Sequence, residues 1–281
     1  MTFLFAAILV PFLRLSGFRN RVVKRNLELM KWRGGFLLRW KLDFNALRDL
    51  TALFLGAAPK TLPDSRTKIR LQEMRDGPCM LLTAHFHNWE QLGSLLRHEG
   101  VSLLAAARPL KNAWAERLLS RMRARIEVST VSQSVPRAAL KHLDAGGCFA
   151  LLWDQHAPGP ECSDFFFGLP VQMNPLPIFI LNHRPCPVYF GVLLPKGGLR
   201  LIPLLTRFEA NAERKLMRRY HRVLETLVRA HPELWYGFYH ARFKNIASYP
   251  GHRHAPFSSR RIPDSARHGR RDGVLSPSVR S

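Results

Sequence analysis

Acidic residues are scarce in this chain. Its 281 residues carry 20 Asp and Glu against 43 Lys and Arg, a formal net charge of +23. Such a field favours anionic partners: nucleic acid, anionic lipid headgroups or a strongly acidic protein. Cysteine is scarce too. Cys79, Cys148, Cys162 and Cys186 are scattered with no Cys-x-x-Cys pair. That argues against a disulfide framework or a cysteine zinc site, and for buried reduced thiols in a reducing compartment. Long apolar runs are missing as well. The N-terminal run covers Phe3 to about Leu13 and is broken by Pro11, short of the roughly 20 residues that a bilayer-spanning helix needs. No charged segment precedes it and no Ala-x-Ala-like site follows it, a poor fit to a cleaved signal peptide.

Arg14, Arg19, Arg21, Lys24 and Arg25 follow that run. Basic residues beside an apolar segment stay on the cytoplasmic side and attract anionic lipid. The expectation is a membrane-surface anchor over residues 1–17, with the body facing the cytoplasm; the other reading is a first core helix. With 46% hydrophobic residues, the remainder suffices for one sizeable core.

Residues 18–55 have helical apolar spacing, and AAPKTLPDSRT is a connection rich in breakers. Then strands and helices alternate. CMLLTA, VSLLAAA, CFALLWD, CPVYFGVLL and LRLIPLL read as strands. NWEQLGSLLRHEG, KNAWAERLLSRMRARI, SVPRAALKHLDAGG and ERKLMRRYHRVLETLVRAH read as helices. The last carries Leu216, Tyr220, Val223, Leu224 and Leu227 as one stripe; the second spaces Trp114, Leu118 and Met122 by four. The fold class expected is α/β: a mixed sheet flanked by helices, preceded by the apolar N-terminal helix. One domain spans residues 18–250. Residues 251–281 are rich in Arg, Ser, Pro, Gly and His, and read as a disordered basic tail.

The densest chemistry lies in LLTAHFHNWEQL, residues 81–92. Asn88 with Gln91 three residues on has the form of a capping box, so a helix is expected to start at Asn88. His85 then falls in the strand-to-helix turn and Glu90 in the first helical turn, where the positive potential of the helix start favours a carboxylate. Across such a bend the two side chains converge. A carboxylate on one imidazole nitrogen leaves the other as a general base for activating a hydroxyl. His87 has two readings, a wall of the site or a residue packed in the turn.

His85-Phe-His-Asn-Trp-Glu90 resembles the His-x4-Glu signature of the bacterial lipid A biosynthesis acyltransferases. Further blocks follow in that family's order: ARPLKNAWAERLLSRMR at 107–123, LLWDQHAPGP at 151–160, DFFFGLPVQMNPLP, CPVYFGVLLP and HPELWYGFYHARFK at 231–244. RNRVVKRNLELM at 19–30 is similar to its early Arg…Asn-Leu stretch, so the resemblance spans about Arg19 to Lys244. It implies transfer of a fatty acyl chain from acyl carrier protein, or from coenzyme A, to a hydroxyl of a membrane glycolipid such as a lipid A precursor. The place implied is the cytoplasmic face of a bacterial inner membrane. His85 is then the base and Glu90 its orienting partner. Arg108 and Asp154, with Lys111, Asn112 and Gln155 beside them, serve substrate binding or the oxyanion. No cofactor and no metal is needed. His87-Asn88 stands where Gly-Asn is frequent in the family, and Trp153 where a smaller residue or proline is common. These departures bear on the acceptor, since relatives acylate mannosides, amino-lipids and polyene pigments.

Other classes fit less well. His85-x-His87 offers two nitrogens to a metal, but no Asp-His partner stands nearby. Charge alone suggests nucleic acid, yet no helix-turn-helix, zinc-finger or RNP-like pattern accompanies it. Arg117, Arg121, Arg123 and Arg125 are either a solvated helix face or a dock for an acidic carrier protein or phosphate headgroups.

Overall fold

The structure is a computed structural model that describes residues 2–33, 35–56, 63–110, 112–125, 128–157, 162–195, 198–209, 212–244 and 246. The tail expected at 251–281 lies outside the described residues. Four helices come first: α1 (Thr2–Leu15), α2 (Asn20–Leu29), α3 (Gly35–Phe54) and α4 (Ser65–Asp76). Asp64 caps α4, its side chain accepting from the Thr67 amide at 2.8 Å. The breaker-rich connection therefore ends earlier than its composition suggests.

The alternating part follows. Strands β1 (Cys79–Thr83), β2 (Leu103–Ala106), β3 (Ser129–Val131), β4 (Cys148–Leu152), β7 (Val188–Leu194) and β8 (Gly198–Leu205) form one sheet in the order β3-β2-β4-β1-β7-β8. All its pairings are parallel except that of β7 with β8. Helices α5 (Trp89–His98), α6 (Ala113–Arg125), α7 (Val135–Asp144), α8 (Leu176–His183) and α9 (Glu213–Ala230) connect and cover it. The sheet is mixed and flanked by helices, as the alternation predicts. A hairpin without a sequence signal of alternation, β5 (Ser163–Phe166) with β6 (Leu169–Gln172), forms a separate two-stranded sheet. Its two turn residues, Phe167 and Gly168, both have positive φ, the geometry that matches the twist of a two-residue hairpin.

Both faces of the central strands are apolar, so they read as unbroken runs. Met80 and Leu82 of β1 enter one core with Phe149, Phe190, Leu216 and Tyr220. Cys79 and Leu81 enter the other with Leu71, Leu92, Leu96 and Ala150. Period-two alternation splits each strand between the two cores. All four cysteines are buried and none is in a disulfide, and burial pushes the Cys186 thiol up to about 12. On α9 the buried stripe is Leu216, Met217, Tyr220, His221, Leu224 and Val228, so Val223 and Leu227 sit at its margin. Trp114 opens α6 in solvent, while Met122 at the far end is buried.

Among the described residues no helix is long and apolar enough to cross a membrane. α1 has 14 residues, about 21 Å of helix against a hydrocarbon core of about 30 Å. It lies on α3, with Ala6 and Val10 fully buried and Arg14 reaching Asp43 at 3.5 Å.

Candidate active site

β1 is buried along its whole length and stops at Thr83, whose hydroxyl donates to the Gly191 carbonyl at 2.8 Å. Residues 84–88 then turn the chain into α5. Asn88 occupies the N-cap position of α5, but its side chain makes no capping bond. The turn is held from elsewhere. Phe86, 1% exposed, pairs as a bridge with Trp235. The His87 amide donates to the Leu234 carbonyl at 2.8 Å, and the Tyr236 amide to the His85 carbonyl at 2.7 Å. The closing segment of the fold thus grips the turn by its backbone.

His85 Nδ1 lies 2.7 Å from Asp154 Oδ1, and the His85 amide donates to Asp154 Oδ2 at 3.0 Å. Trp235 Nε1 donates to that second oxygen at 3.0 Å. Asp154 follows β4, the strand beside β1, and is fully buried. Burial alone would raise its pKa. The opposing pull of His85, His240 and Arg242 wins and holds the carboxyl well below its ordinary range. A carboxylate on Nδ1 places the ring proton there and leaves the lone pair on Nε2.

This corrects the expectation for Glu90. Its carboxylate does not face His85; it is fastened by Arg123 of α6, at 2.6 Å from Nη2 and 3.1 Å from Nε. The reason is the helix itself. Trp89 opens α5 with its ring 5.2 Å from that of His85, and Glu90, about 100° further round, turns toward α6. Glu90 and Arg123 are the charged members of a cleft otherwise walled by Leu81, Leu92, Gly93, Leu103, Ala105 and Leu151, among others.

Gln155 and His240 complete the mouth of the site. Gln155 Nε2 is 3.0 Å from His85 Nε2, and 3.3 and 3.5 Å from Nε2 and Nδ1 of His240. The two imidazole rings are 4.7 Å apart. Burial, with the charges of His85 and Arg19, pushes His240 down to about 4 against the pull of Asp154. His240 lies within HPELWYGFYHARFK, and no spacing rule ties it to a turn 155 positions earlier, so its place beside His85 is not legible in the sequence.

The other candidates are dispersed. Arg108 is exposed in the loop after β2, at the C-terminal end of the parallel strands, the end that also carries His85 and Asp154, and makes no hydrogen bond or ion pair to another described residue. Asn112 caps α6, accepting from the Trp114 amide at 3.0 Å. Lys111 lies outside the described residues. His87 turns away from His85: its Nδ1 is 2.7 Å from Asp49 of α3, a carboxylate that Tyr236 and Arg48 also hold. It sits at φ 48°, a conformation that costs a side chain free energy and costs glycine little. Glycine at this position would suit the backbone, while His87 adds a tie to α3. The two histidines of His85-x-His87 therefore serve different carboxylates, and among the described residues no cluster of three His, Cys, Asp or Glu is placed to hold a metal.

Gly237 sets the position of the Trp235 ring. A Cβ there would lie 2.1 Å from Trp235 Cε2 and 2.4 Å from its Nε1. Gly237→Ala is expected to displace the indole from Asp154. It should lower the melting temperature by several degrees, as overpacking of about 1–3 kcal/mol does, and reduce activity as well. Thermal unfolding followed by circular dichroism checks it; an unchanged Tm would refute the contact.

The model of the family described as bacterial lipid A biosynthesis acyltransferase matches residues 65–245. No curated protein matches the chain.

Proposed function

Because the chain belongs to the bacterial lipid A biosynthesis acyltransferase family and is an acyltransferase, we propose that it moves a fatty acyl chain from a carrier-protein or coenzyme A thioester to a hydroxyl of a membrane glycolipid such as a lipid A precursor, with His85 as general base. The observation that carries this reading is the His85–Asp154 pair at 2.7 Å, with Nε2 directed at the solvent-facing Gln155. His85 Nε2 takes the proton of the acceptor hydroxyl, and the oxygen bonds to the thioester carbonyl carbon. The carbonyl electrons move to oxygen, and return as the C–S bond breaks. The departing sulfur receives the proton from His85. Asp154 holds the ring tautomer and offsets the charge of the imidazolium. Arg108 is the side chain we assign to the oxyanion: it follows β2 at the C-terminal end of the parallel strands, where β1 and β4 deliver His85 and Asp154.

Glu90 is given a supporting part. Its pairing with Arg123 neutralises both charges in the apolar cleft, which we assign to the acyl chain. Phe165, Phe166 and Phe167 belong to the hairpin and do not line it. Gly93 does, and a Cβ there would stand 3.0 Å from Val128. Gly93→Leu is expected to shift the products toward shorter acyl chains, read by mass spectrometry with a mixed thioester pool. An unchanged chain-length profile removes the cleft from the reading.

Membrane contact is assigned to the outer side of α1 and α3. Phe12 and Leu15, with Phe36 and Leu37, are exposed there, and Arg14 lies over the rings of Phe36 and Trp40. Aromatic and apolar side chains beside arginines suit the headgroup boundary of an anionic membrane. This agrees with residues 1–17 lying on the inner membrane at its cytoplasmic face. Lipid mass spectrometry of a strain lacking the gene tests the function as a whole. A missing acylated glycolipid identifies acceptor and chain together, and an unaltered lipid profile contradicts the proposal.

A further inference from the structure

A base acts on a hydroxyl within about 2.6–3.2 Å of it. Here that position is filled. Gln155 Nε2 stands 3.0 Å from His85 Nε2 and, as the amide donates, occupies the lone pair that the reaction needs. The same nitrogen is nearly equidistant from the two nitrogens of His240, at 3.3 and 3.5 Å, so it rests across that ring rather than on one lone pair. The two histidines arrive from opposite ends of the fold, one after β1, the other after the last helix. The backbone of His240 is fixed independently of Gln155. Buried Asn26 of α2 donates to the carbonyls of Phe238 and His240 at 2.8 and 2.9 Å. Gln155 itself is exposed, so its side chain is the member of the trio that can leave.

We propose that the point held by Gln155 Nε2 is the seat of the acceptor oxygen, that His240 is a second catalytic residue contacting that oxygen beside His85, and that Gln155 keeps the seat until acceptor displaces it. The acceptor class is a hydroxyl, which can donate to His85 Nε2 and at the same time accept from a ring N–H of His240. As the hydroxyl gives up its proton, its oxygen gains negative charge and the His240 N–H bond strengthens. Burial keeps that imidazole uncharged near neutrality, and an uncharged ring has one N–H to offer without repelling the imidazolium that forms on His85. While Gln155 stays, water is denied the base and the thioester is spared from hydrolysis.

This inference rests on His85 being the base, and the two are separable. Purified full-length protein is given dodecanoyl-coenzyme A without acceptor, and thioester cleavage is followed. Gln155→Ala should hydrolyse it about fivefold faster than the parent, the worth of one displaced hydrogen bond. With acceptor glycolipid supplied and acyl transfer followed, His240→Phe should lose on the order of 10²-fold in kcat with KM for the thioester unchanged, as when one oxyanion donor is removed. His240→Gln, which restores an N–H, should recover part of that loss. Hydrolysis by Gln155→Ala at or below the parental rate overturns the proposal. So does a His240→Phe variant equal to the parent, or a Gln variant as slow as Phe. His85→Ala speaks only to the base when acceptor glycolipid is supplied and acyl transfer is followed: if it transfers at the parental rate, the underlying reading is wrong whatever Gln155 and His240 do.

Discussion

His85→Ala is expected to lower acyl transfer by about 10²–10⁴-fold, the usual contribution of a positioned general base. The fold should survive. The backbone bonds that shape the turn, from the His87 amide to Leu234 and from the Tyr236 amide to the His85 carbonyl, involve no imidazole. Asp154 loses the ring proton on Oδ1 but keeps the His85 amide and the Trp235 indole on Oδ2. A buried carboxylate with two donors left is less well satisfied, so a fall of a few degrees in melting temperature should accompany the loss of rate. Initial rates with the purified variant, set beside its thermal unfolding curve, check both halves. Parental turnover in a folded variant would remove His85 from the mechanism.

Asp154→Asn is expected to be as damaging, and its reason is more specific. Asp154 presents two accepting oxygens, one to His85 Nδ1 and the other to two N–H groups. Asparagine has one oxygen. It satisfies the two N–H groups best when its NH₂ faces the ring, which obliges Nδ1 to accept and moves the ring proton to Nε2. The base then has no lone pair to offer. In the serine protease triad the same exchange costs about 10⁴-fold. Glu90→Gln is the informative comparison. An amide keeps a neutral hydrogen bond to Arg123, so the loss should be smaller than for Asp154→Asn. If the order is reversed, Glu90 is the group that serves His85 and the geometry described above is not the working one.

The turn at residues 84–88 shows how far sequence alone reaches. Strand, turn and helix were legible there, because a buried pentapeptide, apolar but for its closing Thr83, and an amphipathic decapeptide obey local rules of period, and Asn88 stands at the N-cap position although its side chain makes no capping bond. His85 was legible as a candidate base from the same stretch, because it falls in the strand-to-helix turn. Its partner was not. Glu90 is near in sequence, but α5 rotates it toward α6; Asp154 is near in space because β4 inserts beside β1. Sheet order is a long-range property that no spacing within a strand encodes. The hairpin at residues 163–172 was missed because β5 and β6 are four residues each and carry no polar alternation. The knot of His87, Asp49 and Tyr236 joins three separated segments, and only the folded chain reveals that the second histidine is a fastening.

That fastening has a consequence for biosynthesis. The turn that carries His85 is clamped by Leu234, Trp235 and Tyr236, and the neighbour of His85 in the site is His240. A ribosome therefore delivers His85 long before it delivers the segment that sets His85 in place. A nascent chain shorter than about residue 240 holds His85 and Asp154 without the clamp, and the base we propose is set in place only once the segment through His240 has left the exit tunnel.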